Sequence, residues 1–277
     1  MAQLAYLGPE YSFSHDLVRQ VYGSQNEVPC SSLAEVVECV AEGRADSGVV
    51  PFYNTTKRSI EETQVELIRF RNKIFVHDVI PLEVNHFLCG FGTLSEVTEL
   101  RSKNVVFYQA SKWLEKHMPK ATRDDTWGST AQAIESLVGA KAKNIAAIGS
   151  KNACDGYGVP VLAKNIQNKP NITSFFVLGR AKPEANNTDH VLMCITDATI
   201  DVKKEISELV GKSGCSISSN WPLATERMNA YFFEMNGEYS KLDLQSTVCQ
   251  INNRFGRQVF VVGGYSGKCI TSLMFDS

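Results

Sequence analysis

The chain has 277 residues, enough for about two domains of ordinary size. Its 43% hydrophobic and 21% charged residues are typical of a globular protein, and its formal net charge of −2 excludes a global attraction to nucleic acid or anionic lipid. No apolar run reaches the roughly 18 residues that a membrane helix needs, and residues 1–6 lack the basic and apolar regions of a signal peptide. We therefore expect a cytoplasmic protein that binds neither nucleic acid nor membrane.

The spacing of cysteine and histidine predicts no metal site. The eight cysteines include no C-x-x-C pair, and the five histidines include no H-E-x-x-H motif. In a reducing cytoplasm, cysteines scattered in this way are typical of small hydrophobic core residues. We expect neither a metal ion nor an organic cofactor.

The first half of the chain alternates strand and helix signals. Leu4–Leu7 predicts a short strand, Ser12 or Ser14 can cap a following helix, and a capping box of Ser32 and Glu35 opens a second helix. The other predicted elements are strands at 47–50, 74–79, 84–88, 104–107 and 145–148 and helices at 109–117 and 130–139. This alternation predicts a parallel or mixed α/β sheet covered on both faces.

A polar segment at 179–188, with one proline and paired asparagines, predicts a linker. After it the pattern changes. The predicted order is strand 190–195, helix 202–212, strands 215–220 and 229–234, helix 240–252 and strand 258–262. Such a βαββαβ order is typical of a ferredoxin-like unit.

Residues 48–63 are the most informative stretch. An apolar run stops at Pro51, continues through hydroxyl and amide side chains, and restarts as a helix-like segment. A strand that passes into a helix in this way presents free backbone N–H groups, which can hold an anion. The stretch therefore predicts an anion-binding loop.

The same stretch resembles the VVPxENSxxGSVxxT signature of the prephenate dehydratase family. Three further segments resemble that family, in the same order along the chain: residues 6–15, residues 129–133 with 146–150, and residues 165–175. The C-terminal βαββαβ unit resembles the ACT regulatory domain that follows in this family.

The resemblance implies a fold and a substrate. It implies an α/β catalytic domain at 1–180 with two lobes similar to periplasmic binding proteins, one lobe at 1–78 plus 169–180 and the other at 79–168. A ferredoxin-like ACT domain would follow at 188–277. It further implies prephenate as the substrate, a site between the lobes, and a homodimer or homotetramer formed through the ACT domain.

The resemblance also assigns site residues, position by position. Thr173 matches a threonine that assists departure of the substrate hydroxyl, with an exposed loop threonine as the structural alternative. Ser59 matches a substrate-binding serine and can also be a helix cap. The catalytic candidates are Thr173, Ser174, Phe175, Tyr53 and Asn54, and the substrate-binding candidates are Ser12, Thr55, Arg58, Ser59, Thr63, Ser129 and Thr130.

Several matched positions carry a different residue. Ser174 replaces an arginine, whose planar guanidinium would bind a substrate carboxylate through charge-assisted hydrogen bonds. Tyr53 replaces a glutamate, so that a neutral phenol stands in place of a carboxylate. Lys57 and Arg58, the latter at a glycine position, either restore the missing positive charge or form a solvated turn.

The ACT-like unit departs from its family as well. Ser219, Asn220, Trp221 and Pro222 stand where the effector motif reads ESRP. Because the acid and the arginine of that motif are absent, we expect that phenylalanine does not bind there and that the domain serves in dimer formation.

Three functions fit these observations. The first is a non-aromatising prephenate decarboxylase, a lyase that releases CO₂ and adds a proton to the ring while the hydroxyl stays. The second is an ordinary prephenate dehydratase that forms phenylpyruvate for aromatic amino acid biosynthesis. The third is a non-enzymatic protein that binds a metabolite. The replaced arginine favours the first function, and the ACT-like domain and Thr173 favour the second.

Overall fold

The computed structural model describes residues 2–23, 26–182, 188–197, 202–212, 216–226, 228–236, 250, 253, 259–267 and 270. The chain divides into two compact units. Unit 1 comprises Met1–Ala5, Leu33–Pro81 and Ser174–Ser277, and unit 2 comprises Tyr6–Ser32 and Leu82–Thr173. Within the described ranges no helix is long and apolar enough to span a membrane.

Helices and strands alternate through the first half of the chain, as predicted. The helices are α1 Phe13–Tyr22, α2 Leu33–Ala41, α3 Glu61–Arg69, α4 Asn104–Gln109, α5 Ser111–His117, α6 Thr130–Ala140, α7 Lys151–Gly156 and α8 Val202–Lys212. The strands are β1 Leu4–Leu7, β2 Glu27–Cys30, β3 Ser47–Asn54, β4 Arg58–Ser59, β5 Phe75–Glu83, β6 Phe87–Gly90, β7 Glu99–Arg101, β8 Thr122–Asp124, β9 Ile145–Gly149, β10 Val161–Ala163, β11 Ile172–Gly179, β12 His190–Thr196, β13 Ser216–Ala224, β14 Asn229–Asn236 and β15 Val259–Tyr265.

Unit 1 is built on one sheet. Its strands follow the order β13-β14-β12-β15-β5-β11-β3-β1, and β4 pairs with β3. The C-terminal strands β12 to β15 join the other strands of this sheet where β15 pairs with β5 in parallel, with Gly263 opposite Val76. A Cβ on Gly263 would lie 2.2 Å from the Val76 carbonyl oxygen, so this contact requires glycine.

The C-terminal strands have the order expected for a βαββαβ unit. β12 pairs antiparallel with both β14 and β15, and β13 pairs antiparallel with β14. α8 covers this sheet, because Ile206 and Val210 pack in one buried cluster with Val191, Met193 and Phe233. The second predicted helix, at 240–252, lies outside the described residues apart from Gln250.

Unit 2 contains a mixed sheet in the order β10-β6-β9-β7-β8, covered on both faces as predicted. Leu88 and Ile148 face the cluster formed with α4 and α5. Cys89 and Ala147, one position away on the same strands, face the cluster formed with α6 and α7. This alternation follows from the two-residue period of a strand.

Two element predictions were wrong. Residues 104–107 form part of α4 instead of a strand, because Val106, Ala110 and Leu114 recur every four residues and pack in one cluster. The strand predicted at 84–88 begins only at Phe87. Five cysteines, Cys30, Cys39, Cys89, Cys154 and Cys194, are free and buried as predicted; the other three lie outside the described residues.

Candidate functional site

Asn54 shapes the turn that follows β3. Its side-chain carbonyl oxygen accepts hydrogen bonds from the Thr56 N–H at 2.9 Å, the Thr56 hydroxyl at 2.6 Å and the Lys57 N–H at 3.0 Å. An asparagine that accepts from backbone N–H groups two and three residues ahead stabilises a turn. Thr55, half-buried, lies within this turn. The side-chain oxygen of Asn54 therefore holds the predicted anion-binding loop in shape.

Arg58 follows the turn in a left-handed backbone conformation, with φ of 68°. Its side chain is exposed, and it has no ion-pair partner among the described residues. The left-handed region favours glycine because glycine has no Cβ. This backbone geometry explains why a glycine signature matches position 58, and it leaves the guanidinium directed to solvent.

Tyr53 and Ser59 face each other across the short ladder of β3 and β4. Both side chains are half-buried. The interpretation of Ser59 as a helix cap was wrong, because the N-cap residue of α3 is Ile60, whose side chain makes no cap hydrogen bond. Glu61 and Glu62 occupy the first turn of α3, and their negative charges disfavour an anion at that helix end.

Thr63 lies beneath the loop instead of facing solvent. It is fully buried, and its hydroxyl donates to the Pro51 carbonyl oxygen at 2.7 Å, which ties α3 to β3. The Ile60 N–H also donates to the Phe52 carbonyl oxygen at 2.8 Å. Thr63 thus supports the loop from the protein interior.

Gln64, the next residue, was not singled out from the sequence. Its side chain is 0% exposed, and neither amide atom has a hydrogen-bond partner among the described residues. A buried amide without partners is costly and needs an explanation, for which a bound polar ligand is one candidate. Nothing in the sequence pattern distinguishes Gln64 from any other polar residue of a helix.

β11 carries the catalytic candidates Thr173, Ser174 and Phe175. All three are buried, with exposed fractions of 8%, 2% and 2%. In unit 1, Ser174 on β11 and Tyr53 on β3 lie on neighbouring strands of the sheet. The two positions that depart most from the family signature are therefore brought to adjacent strands. The alternative of Thr173 as an exposed loop residue was wrong, because it is buried in a strand.

The candidate effector residues lie on β13, paired with β14. Ser219 and Trp221 are buried, Asn220 is half-buried and Pro222 is exposed. The Tyr231 hydroxyl donates to the Asn220 side-chain oxygen at 2.6 Å. This segment therefore forms a regular strand whose alternate residues point into the protein.

In unit 2, three helices begin at serine caps. Each hydroxyl accepts a backbone N–H of its own helix: Ser12 from His15 at 3.3 Å, Ser129 from Gln132 at 3.0 Å and Ser150 from Ala153 at 3.1 Å. The starts of α6 and α7 are adjacent, because a Cβ on Gly149 would lie 3.3 Å from the Cβ of Thr130, itself buried. Adjacent helix N-termini favour negatively charged groups.

Asp16 was also missed from the sequence. It lies buried in the first turn of α1, where Ser150 and Asn152 hydrogen-bond to its carboxyl. Burial raises the pKa of this carboxyl above its ordinary value, and the hydrogen bonds oppose the effect only in part. A carboxyl with a raised pKa near helix N-termini is a candidate proton donor. A lone aspartate in a first turn is ordinarily a partner of the helix dipole, so sequence reasoning did not single out Asp16.

Comparison with known proteins defines the class. The sequence model of the family "Prephenate dehydratase" matches residues 4–183, about two thirds of the chain, and the chain belongs to this family of lyases. Its mixed α/β architecture with two sheets matches solved prephenate dehydratases and agrees with the predicted periplasmic-binding-protein-like module.

Two curated relatives show how far the sequence similarity extends. The bifunctional chorismate mutase/prephenate dehydratase of Aquifex aeolicus is 31% identical over 199 residues, which are 70% of this chain and 54% of that protein. The chain spans about half the length of the bifunctional relatives it matches. The prephenate dehydratase of Lactococcus lactis is 25% identical over 275 residues, 95% of this chain and 97% of that protein.

Two solved structures share the fold. A prephenate dehydratase from Arthrobacter aurescens in complex with L-phenylalanine is 20% identical with a TM-score of 0.81, covering 96% of this chain and 90% of that chain. A protein described as a novel type of quorum-quenching acylase is 17% identical with a TM-score of 0.79, covering 96% and 98%. A fold shared by proteins of different described activity does not fix the reaction.

Proposed function

We propose that the chain is a prephenate-processing lyase, most specifically a non-aromatising prephenate decarboxylase. The observation that carries this proposal is Ser174, 2% exposed on β11, at the position of the family's arginine. A serine hydroxyl cannot replace the charge or the planar fork of a guanidinium. The contact that would hold a substrate carboxylate during dehydration is therefore missing at this position.

The two candidate reactions share their first bond cleavage. The bond between ring C1 and the carboxylate breaks, CO₂ leaves, and an electron pair enters the ring. In dehydration that pair expels the C4 hydroxyl, which takes up a proton and leaves as water. In the proposed reaction a proton adds to a ring carbon, and the hydroxyl stays. The outcome depends on where the site supplies a proton.

Tyr53 and the residues around it support the reaction in which the hydroxyl stays. At Tyr53 a phenol that donates a hydrogen bond replaces a carboxylate, so the loop bears one negative charge fewer toward a dianionic substrate. Arg58, exposed at the start of β4, supplies a cation at the same loop. Asn54 and Thr63 keep the loop in shape. Thr55 and Ser59 are proposed to complete substrate binding at this loop of unit 1. In unit 2, Ser12, Ser129 and Thr130 stay predicted substrate-binding residues.

A second candidate, prephenate dehydratase, is favoured by two observations. Similarity to the Lactococcus lactis prephenate dehydratase extends over 275 residues, well beyond the catalytic segment. Thr173, matched to the threonine that assists departure of the hydroxyl, is also retained. This candidate differs from the first only in the product.

The test is the product formed from prephenate by the purified chain, identified by ultraviolet spectrum and mass. A non-aromatic keto acid that keeps the hydroxyl supports the decarboxylase. Phenylpyruvate supports the dehydratase. Tight binding without turnover supports the third function, a metabolite-binding protein. A characterised prephenate dehydratase under the same conditions serves as the control for phenylpyruvate.

The C-terminal region is proposed to act as an ACT-like domain at 188–277, after a catalytic domain at 1–180 with lobes at 1–78 plus 169–180 and at 79–168. The strand order of β12 to β15 supports this proposal. We propose that it forms a homodimer or homotetramer. Light scattering coupled to size exclusion measures the assembly, and a monomer at micromolar concentration would contradict it.

A further inference from the structure

An aromatic cluster in unit 1 links the C-terminal strands to β3, the strand that precedes the predicted anion-binding loop. Phe52 on β3 is its centre and is 0% exposed. Its ring stacks on Phe176 at 4.2 Å between centroids and meets Trp221 at 5.2 Å and Phe232 at 5.9 Å, both edge to face. The two edge-to-face separations are those of favourable aromatic pairs.

The cluster is close in sequence to two candidate catalytic residues, Tyr53 on β3 and Ser174 on β11. Phe52 directly precedes Tyr53, and Phe176 lies two residues after Ser174 on the same strand. Trp221 also meets the Tyr53 ring itself, at 6.3 Å and an angle of 56°. The Trp221 ring thus lies near both Tyr53, which departs from the family signature, and the neighbouring Phe52.

We infer that Trp221 is a positioning residue that fixes Tyr53 in the candidate site. This inference rests on the proposed function, since it gives Tyr53 a task there. Trp221 occupies the segment that resembles an effector motif, and its side chain, 4% exposed, is occupied by packing on β3. The segment then holds the loop permanently and does not await an effector.

The physical reason is the stiffness of a close-packed aromatic cluster. Removing the indole leaves a cavity beside Phe52, and neighbouring side chains collapse only partly into it. The Tyr53 ring then loses its packing contact with the indole and samples more orientations. Displacement of a reacting or positioning group by about 1 Å can lower a rate by roughly a hundredfold.

The test compares Trp221→Ala with Trp221→Phe and with a matched control, Phe233→Leu. Phe233 lies on β14 beside Phe232 but packs in the cluster under α8, so the control perturbs the same strand in a different core cluster. We expect Trp221→Ala to lower kcat by about tenfold or more with a smaller change in KM. We expect Trp221→Phe to retain most of the activity because a ring still meets Phe52, and Phe233→Leu to leave kcat unchanged.

Hydrogen exchange of the peptide spanning residues 52–60 tests the positioning without any turnover. Trp221→Ala should exchange faster there, whereas Phe233→Leu should exchange like the parent protein. If the parent protein does not turn over prephenate, the proposed function fails, and faster exchange still supports the positioning role. If a folded Trp221→Ala variant shows unchanged exchange and unchanged kcat, the inference is overturned. Equal effects of Trp221→Ala and Phe233→Leu would also overturn it, because they would show a general loss of stability.

Discussion

Arg58 combines an exposed charge with a strained backbone, and the two effects can be separated by substitution. At φ of 68°, a residue with a Cβ costs roughly 1–2 kcal/mol relative to an ordinary conformation. Glycine avoids this cost but loses about 0.5–1 kcal/mol more conformational entropy on folding. Arg58→Gly should therefore range from neutral to about 1.5 kcal/mol more stable. For a chain of this size that is a rise in Tm of about 3–6 °C at most.

Substrate binding should change in the opposite direction. If Arg58 supplies the cation that Ser174 does not, removing it should weaken binding by about tenfold. The effect should shrink as ionic strength rises, because the side chain is exposed. Arg58→Asn is the matched control, since asparagine tolerates the left-handed region and is neutral. It should lose binding as Arg58→Gly does, and Arg58→Lys should keep most of it.

The assay is steady-state turnover of prephenate at low and high salt, alongside thermal denaturation of each variant. The expected pattern is a raised KM for Arg58→Gly and Arg58→Asn at low salt, with Tm equal to or above that of the parent protein. Unchanged KM and kcat for Arg58→Gly at low ionic strength would show that Arg58 does not bind the substrate and is only a solvated turn residue.

Four further outcomes are expected. Thr63→Val should lower stability by about 1–3 kcal/mol in chemical denaturation because the Pro51 carbonyl loses its buried donor, and Thr63→Ser should lose less; equal losses would contradict the hydrogen-bond argument. Gln64→Met should raise stability by about 1–3 kcal/mol, since it removes two buried groups without partners at similar volume, and an unchanged denaturation midpoint would contradict this. Ser174→Arg alone should destabilise the protein by burying a lone guanidinium, and adding Tyr53→Glu on the neighbouring strand should restore stability and shift the products towards phenylpyruvate; a folded double variant with an unchanged product ratio would disprove the link. Millimolar phenylalanine should leave Tm unchanged, whereas a bound effector at tens of Kd would add roughly 2 kcal/mol and give a saturable rise.

Helices and strands with a regular apolar period can be predicted from the sequence, whereas those that depend on their neighbours in the fold cannot. The strand β3, the helices α1, α6 and α8 and the strands β12 to β15 follow from apolar period and capping residues, which are local signals. β7 and β8, three residues each, have no such pattern and exist because they pair with neighbours. α4 was taken for a strand because its Val105, Val106 and Phe107 favour strands locally, whereas packing against the core of unit 2 selects the helix.

The candidate site shows the same division. Motif positions indicate which residues gather in the loop between β3 and α3, but they carry no information on burial. The motif predicts Thr63 as a substrate-binding residue. It does not show that the Thr63 hydroxyl donates a hydrogen bond to the Pro51 carbonyl oxygen. Asp16 and Gln64 stand out only through burial and missing or competing partners, which are tertiary properties. Trp221 was predicted only as part of a lost effector motif, and its contact with Phe52 depends on the fold of the whole of unit 1.

An isotope label shows whether the substrate hydroxyl stays while CO₂ leaves, as the proposed decarboxylase requires. Prephenate carrying oxygen-18 at the C4 hydroxyl is incubated with the purified chain, and the label is followed by mass spectrometry in the keto acid and in water. Retention of the label in a non-aromatic keto acid is the predicted result. Release of the label into water, with unlabelled phenylpyruvate as the product, would exclude the decarboxylase and identify the chain as a dehydratase.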